Sequence, residues 1–248
     1  MNKGYIFYPI LLGIVTAFTL SDAHAIGWFG QTLDGAPCQG NMQAFGPFDY
    51  LEVKTTTDKR LITQARLWEV DRIHYGKGVN YMRGGIDKIS LKQAWHEFDY
   101  TLRAFPNHAL ALSDIIQLEI ERRNINKRTD QNLPPLKTPP ECYLQRAAAF
   151  RPNQDHIPLL YGIYFHRLGK LKEAEEQYNR AITINPDNPE SHYNLGLLLV
   201  RLNRLQEAVQ HAKKAYALNY PLDALKRRLT SAGVWDKTED KASPRTGK

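Results

Sequence analysis

The chain has 248 residues, of which 42% are hydrophobic and 24% are charged, and its formal net charge is +7. A chain of this length can bury one or two sizeable cores, and near-average contents of glycine and proline exclude a collagen-like or wholly disordered protein. Because the sequence has only two cysteines, a dense disulfide scaffold is also excluded.

The first 25 residues have the three parts of a secretory signal. Lys3 precedes an apolar run over residues 5–20, and Ala23-His24-Ala25 then places small residues where a signal peptidase recognises them. The apolar run is shorter than the ~20 residues of a membrane-spanning helix and contains Pro9, which argues against an uncleaved anchor. The sequence therefore predicts cleavage after Ala25 and a periplasmic or secreted mature protein.

Residues 26–87 form an N-terminal segment with a less regular pattern. Residues 27–50 contain five glycines and two prolines, which favours extended structure. Further on, apolar residues at helical spacing predict one amphipathic helix. These residues are Leu61, Ile62, Ala65 and Trp68. We expect this segment to pack on the first helical hairpin.

Residues 88–154 show a degenerate pattern of helical hairpins with an insertion. Ala94, Phe98 and Leu102 have the spacing of a second helix, which Pro106 then ends. Pro106 precedes Pro152 by 46 residues, about 12 more than the 34-residue period of the following segment. The insertion falls near residues 122–140, where polar residues and four prolines predict a surface loop.

A basic run in this insertion is the densest concentration of positive charge in the chain. Residues 122–128 contain four basic side chains in seven positions. We interpret the run as a solvated loop, and the alternative is a loop that contacts phosphates or an anionic lipid surface. The remaining surplus of charge is spread along the chain. The sequence therefore predicts no nucleic-acid partner and at most a weak contact with a membrane surface.

The second half of the chain repeats with a period of 34 residues. Pro152 and Pro186 are 34 residues apart, and Tyr220 follows one period later, beside Pro221. Residues 170–182 (KLKEAEEQYNRAI) place apolar side chains at helical spacing, and small residues allow two antiparallel helices to pack closely. The small residues are Gly162, Ala174 and Ala181. This pattern resembles the tetratricopeptide repeat.

The resemblance implies an all-α fold, a short right-handed α-solenoid of about three helical hairpins. Residues 155–188 and 189–221 correspond to two repeats of this family. Since a hairpin cannot cover its own apolar face, residues 222–235 are expected to form a C-terminal capping helix. Residues 236–248 have no apolar face, which predicts a disordered tail.

Four phrases outside these repeats share a second pattern. They are GPFDY at residues 46–50, VDRIHY at 70–75, FDYTLRAFPNH at 98–108 and ECY, RA and FRP within 141–152. Together they resemble a group of exported bacterial tetratricopeptide proteins of unassigned function. The pattern departs at Gly76-Lys77-Gly78, where the group has Thr-Pro at the start of a helix.

Export would place Cys38 and Cys142 in an oxidising compartment. We expect them to form a disulfide that joins the glycine-rich N-terminal stretch to the start of a helix. The alternative is two separate buried thiols.

No pattern of catalytic or metal-binding residues is recognisable. The seven histidines after Ala25 include no pair at positions i and i+4, and no Cys-x-x-Cys motif accompanies them. Gly-x-Ser-x-Gly is absent, and Lys170-Leu171 lacks the Ser or Thr of a phosphate loop. The sequence therefore predicts no enzyme activity, no cofactor and no metal. An enzyme would need a pocket between the N-terminal segment and the helices that gathers acidic residues or histidines.

The resemblance also implies a binding groove, because the first helix of each hairpin lines the inner face of such arrays. Its positions combine apolar, amide and basic side chains that suit a peptide carrying a carboxylate. They are Ile163, His166, Arg167, Tyr193, Asn194, Leu197 and Arg201. The alternative is that these side chains only pack against neighbouring helices or cap them. The basic residues are too few to assign the carboxylate clamp of cytosolic chaperone partners.

The predicted function is that of an exported protein–protein interaction module. It would act as a scaffold or adaptor that binds a protein or peptide during assembly of the bacterial envelope. The alternative is a structural accessory protein that contacts an anionic lipid or polymer through residues 122–128. Salt separates the two, because contacts with phosphates weaken steeply as ionic strength rises. The sequence does not predict an oligomeric state.

Overall fold

The structure, a computed structural model, describes residues 27–42 and 45–235. Within these ranges it contains eleven α-helices, one π-helical segment and no strand beyond an isolated bridge between Gln31 and Pro37. The all-α prediction is confirmed. No helix in this part of the chain has the length and apolarity needed to cross a membrane. The predicted signal segment, 1–25, and the predicted tail, 236–248, lie outside the described residues.

The helices follow one another with short connections. They are α1 (Tyr50–Thr55), α2 (Lys59–Gln64), the π-helical segment (Trp68–Tyr75), α3 (Gly76–Arg83), α4 (Lys88–Ala104), α5 (Ala109–Arg128), α6 (Pro140–Phe150), α7 (His156–Leu168), α8 (Leu171–Ile184), α9 (Pro189–Arg201), α10 (Leu205–Ala217) and α11 (Ala224–Ser231).

Helices α3 to α10 form four consecutive hairpins. The pairs α3/α4, α5/α6, α7/α8 and α9/α10 pack side by side, and each second helix contacts the first helix of the following hairpin. Helix α11 packs on α9 and α10 within the predicted capping segment. Because a hairpin leaves one apolar face open, this stacking buries a core that no single hairpin could form.

The α3/α4 hairpin lies before the hairpins expected from the sequence and brings their number to four in the described residues. The sequence departs from the related pattern at residues 76–78 and leaves their structure open, and the structure continues the π-helical segment directly into α3. Gly78 is needed because α3 lies close to α4. A Cβ atom at this position would lie 2.5 Å from the ring of Phe98. Gly78 therefore allows α3 to pack closely on α4.

Small residues also set the distance between the two helices of the α7/α8 hairpin. Ala174 and Ala181 of α8 are fully buried. A Cβ atom at Gly162 of α7 would lie 2.5 Å from two ring atoms of Tyr178. The predicted close packing of the two helices at these residues is therefore present.

Two apolar clusters run through the stack and meet at α7. Ile157 and Tyr164 of α7 belong to the cluster formed with α4, α5 and α6. Leu159 and Phe165, on the other side of the same helix, belong to the cluster formed with α8 to α11. A helix that faces two cores joins them into one continuous solenoid.

The basic run at residues 122–128 is helical, which corrects the prediction of a loop. It forms the last two turns of α5, and the loop is confined to residues 129–139. Arg122 and Arg123 both bind the carboxylate of Glu119, one turn earlier, with N–O distances of 2.8 and 2.5 Å. The side chain of Asn126 bonds to both backbone groups of Leu133 and ties the loop to the helix. These local bonds extend the helix through a polar sequence.

The N-terminal segment is irregular over residues 27–42, as predicted, and lies on α4 and α6. Cys38 and Cys142 are joined by a disulfide, with their Cα atoms 5.5 Å apart. The Gln145 side chain bonds to both backbone groups of Gln31, at 3.2 and 2.7 Å. Asn41 donates to the buried carboxylate of Asp99 at 2.8 Å. One covalent bond and several polar contacts therefore hold this segment in place.

The single amphipathic helix predicted near Leu61 to Trp68 is two separate elements. Helix α2 ends at Gln64, Arg66 has a φ of 49°, and Trp68 begins the π-helical segment. Helices α1 and α2 contribute to a third apolar cluster at the C-terminal end of α4. Its buried members are Tyr50, Val53, Ala65, Val70, Ala104 and Phe105. The reversal at Arg66 lets both short helices reach this cluster.

Candidate binding groove

The first helices of successive hairpins form one continuous surface. Helix α5 contacts α7, α7 contacts α9, and α9 contacts α11. In a helical-repeat solenoid such a surface forms the inner face of the curve. Side chains on α7, α9 and α11 can therefore act on the same bound molecule.

Three arginines lie at one end of these helices. Arg167 and Arg201 are 34 residues apart and so occupy equivalent positions on α7 and α9, and Arg228 comes from α11. All three residues are exposed. Arg201 donates to the carbonyl oxygen of His166 at 3.2 Å, and Arg167 donates to Gln117 Oε1 of α5 at 2.6 Å. Within the described residues, none of the three forms an ion pair with a carboxylate.

The His166 imidazole is close enough to all three guanidinium groups to respond to their charge. Burial, and then the positive charges of Arg201, Arg228 and Arg167, lower the pKa of His166 to about 4. The Nδ1 atom of this ring lies 3.4 Å from the Tyr178 hydroxyl oxygen. At neutral pH the imidazole is uncharged, and the surrounding positive charge is left without an acidic partner. An anionic group placed here would be attracted by all three arginines.

An apolar strip and one amide lie beside the arginines. Ile163 and Leu197, also 34 residues apart, are half-buried against the core of α8 to α11. Asn194 is half-buried, and its side-chain amide donates to the carbonyl oxygen of Glu190 at 2.9 Å. Ile163, Leu197 and Asn194 therefore keep part of their surface open to a ligand.

Tyr193 does not belong to the groove. It is only 5% exposed, and its ring packs on that of Tyr220 with the ring centres 4.4 Å apart. Adjacent residues on a helix point about 100° apart, so Tyr193 faces the core while Asn194 faces outward. Tyr193 therefore packs against neighbouring helices, which is the alternative role stated for the groove residues.

Two polar residues of the inner face extend the predicted set. Arg228 follows the second repeat, where the pattern predicts only a cap, and Gln117 lies in α5, where the repeat is degenerate. Neither position is defined by the 34-residue period. A basic residue in the last turn of a capping helix is the only sequence signal that could have identified Arg228.

A cleft between the N-terminal segment and the helices contains acidic residues, which is the arrangement that an enzyme would need. Its two buried carboxylates, however, already bond to other groups of the protein. The cleft has a volume of about 510 Å³, and Glu119 and Glu141 in its wall are each 3% exposed. Arg122 and Arg123 pair with Glu119. Glu141 accepts from the Leu33 amide at 2.9 Å and from the Tyr164 hydroxyl at 3.1 Å. Glu141 therefore holds the N-terminal segment, and Glu119 is neutralised within α5.

A second buried cluster surrounds His108. Its Nε2 lies 3.1 Å from Asp71 Oδ1, and its Nδ1 accepts from the Ala111 amide at 3.1 Å. The hydrogen bond from His108 is the largest favourable contribution that lowers the pKa of Asp71 to about 2. Because both ring nitrogens are engaged and the ring is fully buried, His108 joins the N-terminal helices to α5. Within the described residues, no group of three or more His, Cys, Asp or Glu side chains could hold a metal ion.

Comparison with known proteins identifies the repeats. A family model described as TPR repeat matches residues 164–203, and one described as tetratricopeptide repeat matches residues 189–221. Tetratricopeptide repeat protein 7A of Homo sapiens is 30% identical over 92 residues, which is 37% of this chain. The match spans 10% of the length of that relative.

Several solved structures are similar at low sequence identity. TTC0263, a thermophilic TPR protein of Thermus thermophilus, is 19% identical with a TM-score of 0.49, over 71% of this chain and 90% of its own. The pilF protein of Pseudomonas aeruginosa is 16% identical with a TM-score of 0.48, over 66% and 67%. MamA of Desulfovibrio magneticus RS-1 is 17% identical with a TM-score of 0.41, over 70% and 92%.

The fold and its inner face define a helical-repeat solenoid, a class of protein whose stacked hairpins create an extended concave binding surface. Within this class, the chain carries tetratricopeptide repeats over residues 164–221.

Proposed function

We propose that the protein is an exported scaffold or adaptor that binds an acidic peptide segment of a partner protein in its concave groove. The observation that supports this proposal is the group of arginines on α7, α9 and α11 that lacks acidic partners within the described residues. Guanidinium groups bind carboxylates through paired hydrogen bonds, and the apolar strip of Ile163 and Leu197 lies beside them. The groove therefore suits a ligand with one or more carboxylates next to apolar side chains.

The exported location rests on two features of the chain. Residues 1–25 have the pattern of a cleaved signal, and the disulfide between Cys38 and Cys142 suits an oxidising compartment. Assembly of the bacterial envelope is the process in which we place such an adaptor. N-terminal sequencing of the protein recovered from its cells tests the location. Ile26 as the first residue supports export, and an intact Met1 contradicts it.

A cross-linking pull-down tests the groove. The mature protein, residues 26–248, is used as wild type, as Arg201→Glu and as Arg180→Glu in the cells that make it. Arg201 is exposed on the inner face, whereas Arg180 is exposed on α8, which is a second helix, so the two variants make the same change of charge on different faces. We expect Arg201→Glu to lose the partner, with binding weakened about tenfold or more, and Arg180→Glu to keep it.

Equal recovery of partners by wild type and Arg201→Glu would remove the support for the groove. Circular dichroism of both variants checks that they remain helical. Tyr193 is left unchanged in this experiment, because replacing a buried ring would alter the core rather than the groove.

The structure weakens the alternative of an anionic surface bound by residues 122–128. The charges of Arg122 and Arg123 are balanced in part by Glu119, and only Lys127 and Arg128 extend freely from the helix end. Two exposed charges give a weak contact that physiological salt screens. We therefore do not propose this function.

A further inference from the structure

The two ends of the solenoid differ in how completely further helices cover the terminal hairpin. At the C-terminal end, α11 covers the last hairpin with Leu225 and Leu229, which are fully buried. At the other end, α1 and α2 cover the C-terminal part of α4, around Ala104 and Phe105, and the π-helical segment covers its middle, where His74 contacts Glu97. The first turns of α4, next to the turn that follows α3, have no such cover. Ile89 in this region is 68% exposed.

A cleft lies at this uncovered position, between α3 and the first half of α4. Its volume is about 610 Å³, which is within the range of ~300–1,000 Å³ typical of ligand sites. Tyr81 and Ile89 line it, and Trp95, only 8% exposed, lies at its base. The start of α4 is held rigidly by a capping box, in which Asp87 and Ser90 bond to each other's backbone. The cleft is therefore preformed.

The rim of the cleft is basic. Lys88, Lys92 and His96 follow one another at intervals of four residues and form a row of about 12 Å along α4. All three are exposed, and within the described residues none has an ion-pair or hydrogen-bond partner. The one carboxylate in the lining belongs to Glu97, which lies 2.5 Å from His74 Nδ1 and faces that ring. A partner therefore meets the uncompensated charges of Lys88 and Lys92 beside an apolar floor.

We propose that this cleft is the docking site of an acidic amphipathic α-helix from a partner protein. A solenoid is extended by adding helices to its open end, so a helix is the shape that this end lacks. Apolar side chains of the helix enter the cleft between Tyr81, Ile89 and Trp95. Its Asp and Glu side chains lie along the basic row. A flat membrane surface could reach the lysines but could not fill a concave site.

A synthetic peptide tests this proposal with the mature protein, residues 26–248. The probe is a fluorescent peptide of about 18 residues, long enough to form a helix, with Leu on one face and Glu on the remaining positions. A second peptide replaces every Glu by Lys. The fluorescence anisotropy of the peptide is measured while the protein concentration is raised to about 1 mM. A concentration this high detects even weak complexes.

We expect the acidic peptide to bind wild type and the basic peptide not to bind. Lys92→Glu and Ile89→Ser each alter an exposed residue, and each should weaken binding of the acidic peptide at least about tenfold, the loss typical of a central contact. Lys127→Glu, which makes the same change of charge at the end of α5, should leave binding unchanged. The basic peptide should bind Lys92→Glu better than it binds wild type.

Other outcomes overturn the proposal. No binding of the acidic peptide to wild type up to about 1 mM, or equal binding of both peptides, contradicts it. Loss of binding in Arg201→Glu with retention in Lys92→Glu assigns the peptide to the concave groove instead. In a further outcome, the protein fails to bind the peptide but sediments with anionic phospholipid vesicles. If Lys92→Glu abolishes this sedimentation, the basic row on α4 belongs to a contact with a membrane surface. The proposal for the groove and the proposal for this cleft can therefore be contradicted independently of each other.

Discussion

Two histidine rings meet between the helices of the last hairpin and make its stability depend on pH. His192 Nδ1 and His211 Nδ1 lie 2.9 Å apart, and His192 Nε2 lies 2.9 Å from the carbonyl oxygen of Pro186. Since the carbonyl only accepts, His192 Nε2 donates and its Nδ1 accepts a hydrogen bond from His211. A proton added to His211 would enter at its Nε2 atom and place a positive charge on a partly buried ring. Burial, and then the His192 ring, lower the pKa of His211.

The free energy of unfolding should therefore fall as the pH decreases below about 6.5, the ordinary pKa of histidine. A lowered pKa in the folded state means that the unfolded state binds more protons in this range, so acid favours unfolding. His211→Gln can still donate to His192 but does not titrate. Urea unfolding at about pH 7.5 and pH 5.5 should show a smaller loss for this variant than for wild type. Equal losses would contradict the role of the pair.

At the scale of elements, the N-terminal segment is held by one covalent bond and a set of polar contacts. The disulfide links residues 104 apart in sequence, and the chain-entropy model assigns up to about 4–5 kcal/mol to closing such a loop. Without it, Gln145 and Asn41 would still bond to their partners. The disulfide therefore limits how far the segment can separate from α6.

Replacing both cysteines by serine should loosen this segment while leaving the repeats folded. We expect a lower free energy of unfolding, by at most about 4–5 kcal/mol, and new protease cleavage confined to residues 27–42. Limited proteolysis followed by mass spectrometry locates the cuts, and wild type treated in parallel is the control. Cleavage that begins within α7 to α10, or an unchanged pattern, would show that the disulfide has another role.

At the scale of the whole molecule, each hairpin contacts only its neighbours, so damage should remain local. Leu225 of α11 is fully buried and lies close to Gly196 of α9. Leu225→Ala should cost about 2–5 kcal/mol locally, because it removes a buried side chain and leaves a cavity. Leu222→Ala, at a residue that is 54% exposed, should have little effect.

Hydrogen exchange measures how far the loss spreads. In Leu225→Ala, amides of α9 and α10 should exchange faster, while those of α5 and α6 should keep the rates of wild type. A uniform acceleration along the chain would mean that the solenoid unfolds as one unit rather than hairpin by hairpin.

The sequence by itself determined the features that depend on short-range spacing. Apolar residues at helical intervals and two prolines 34 residues apart identify the α7/α8 and α9/α10 hairpins, because these signals act within one or two helices. The resemblance to the tetratricopeptide repeat, which rests on the same spacing, implied that Ile163, Leu197, Arg167 and Arg201 line one groove. Their use in binding stays a prediction.

Only the tertiary structure decided the features that depend on residues distant in sequence. Arg228 joins the groove because α11 folds back on α9, and Tyr193 leaves it because the same fold brings Tyr220 over its ring. Position 78 requires glycine because the Phe98 ring of another helix fills the space beside it. In each case a packing or electrostatic contact with another helix decides the role of the residue. The local sequence pattern does not indicate which helix makes that contact.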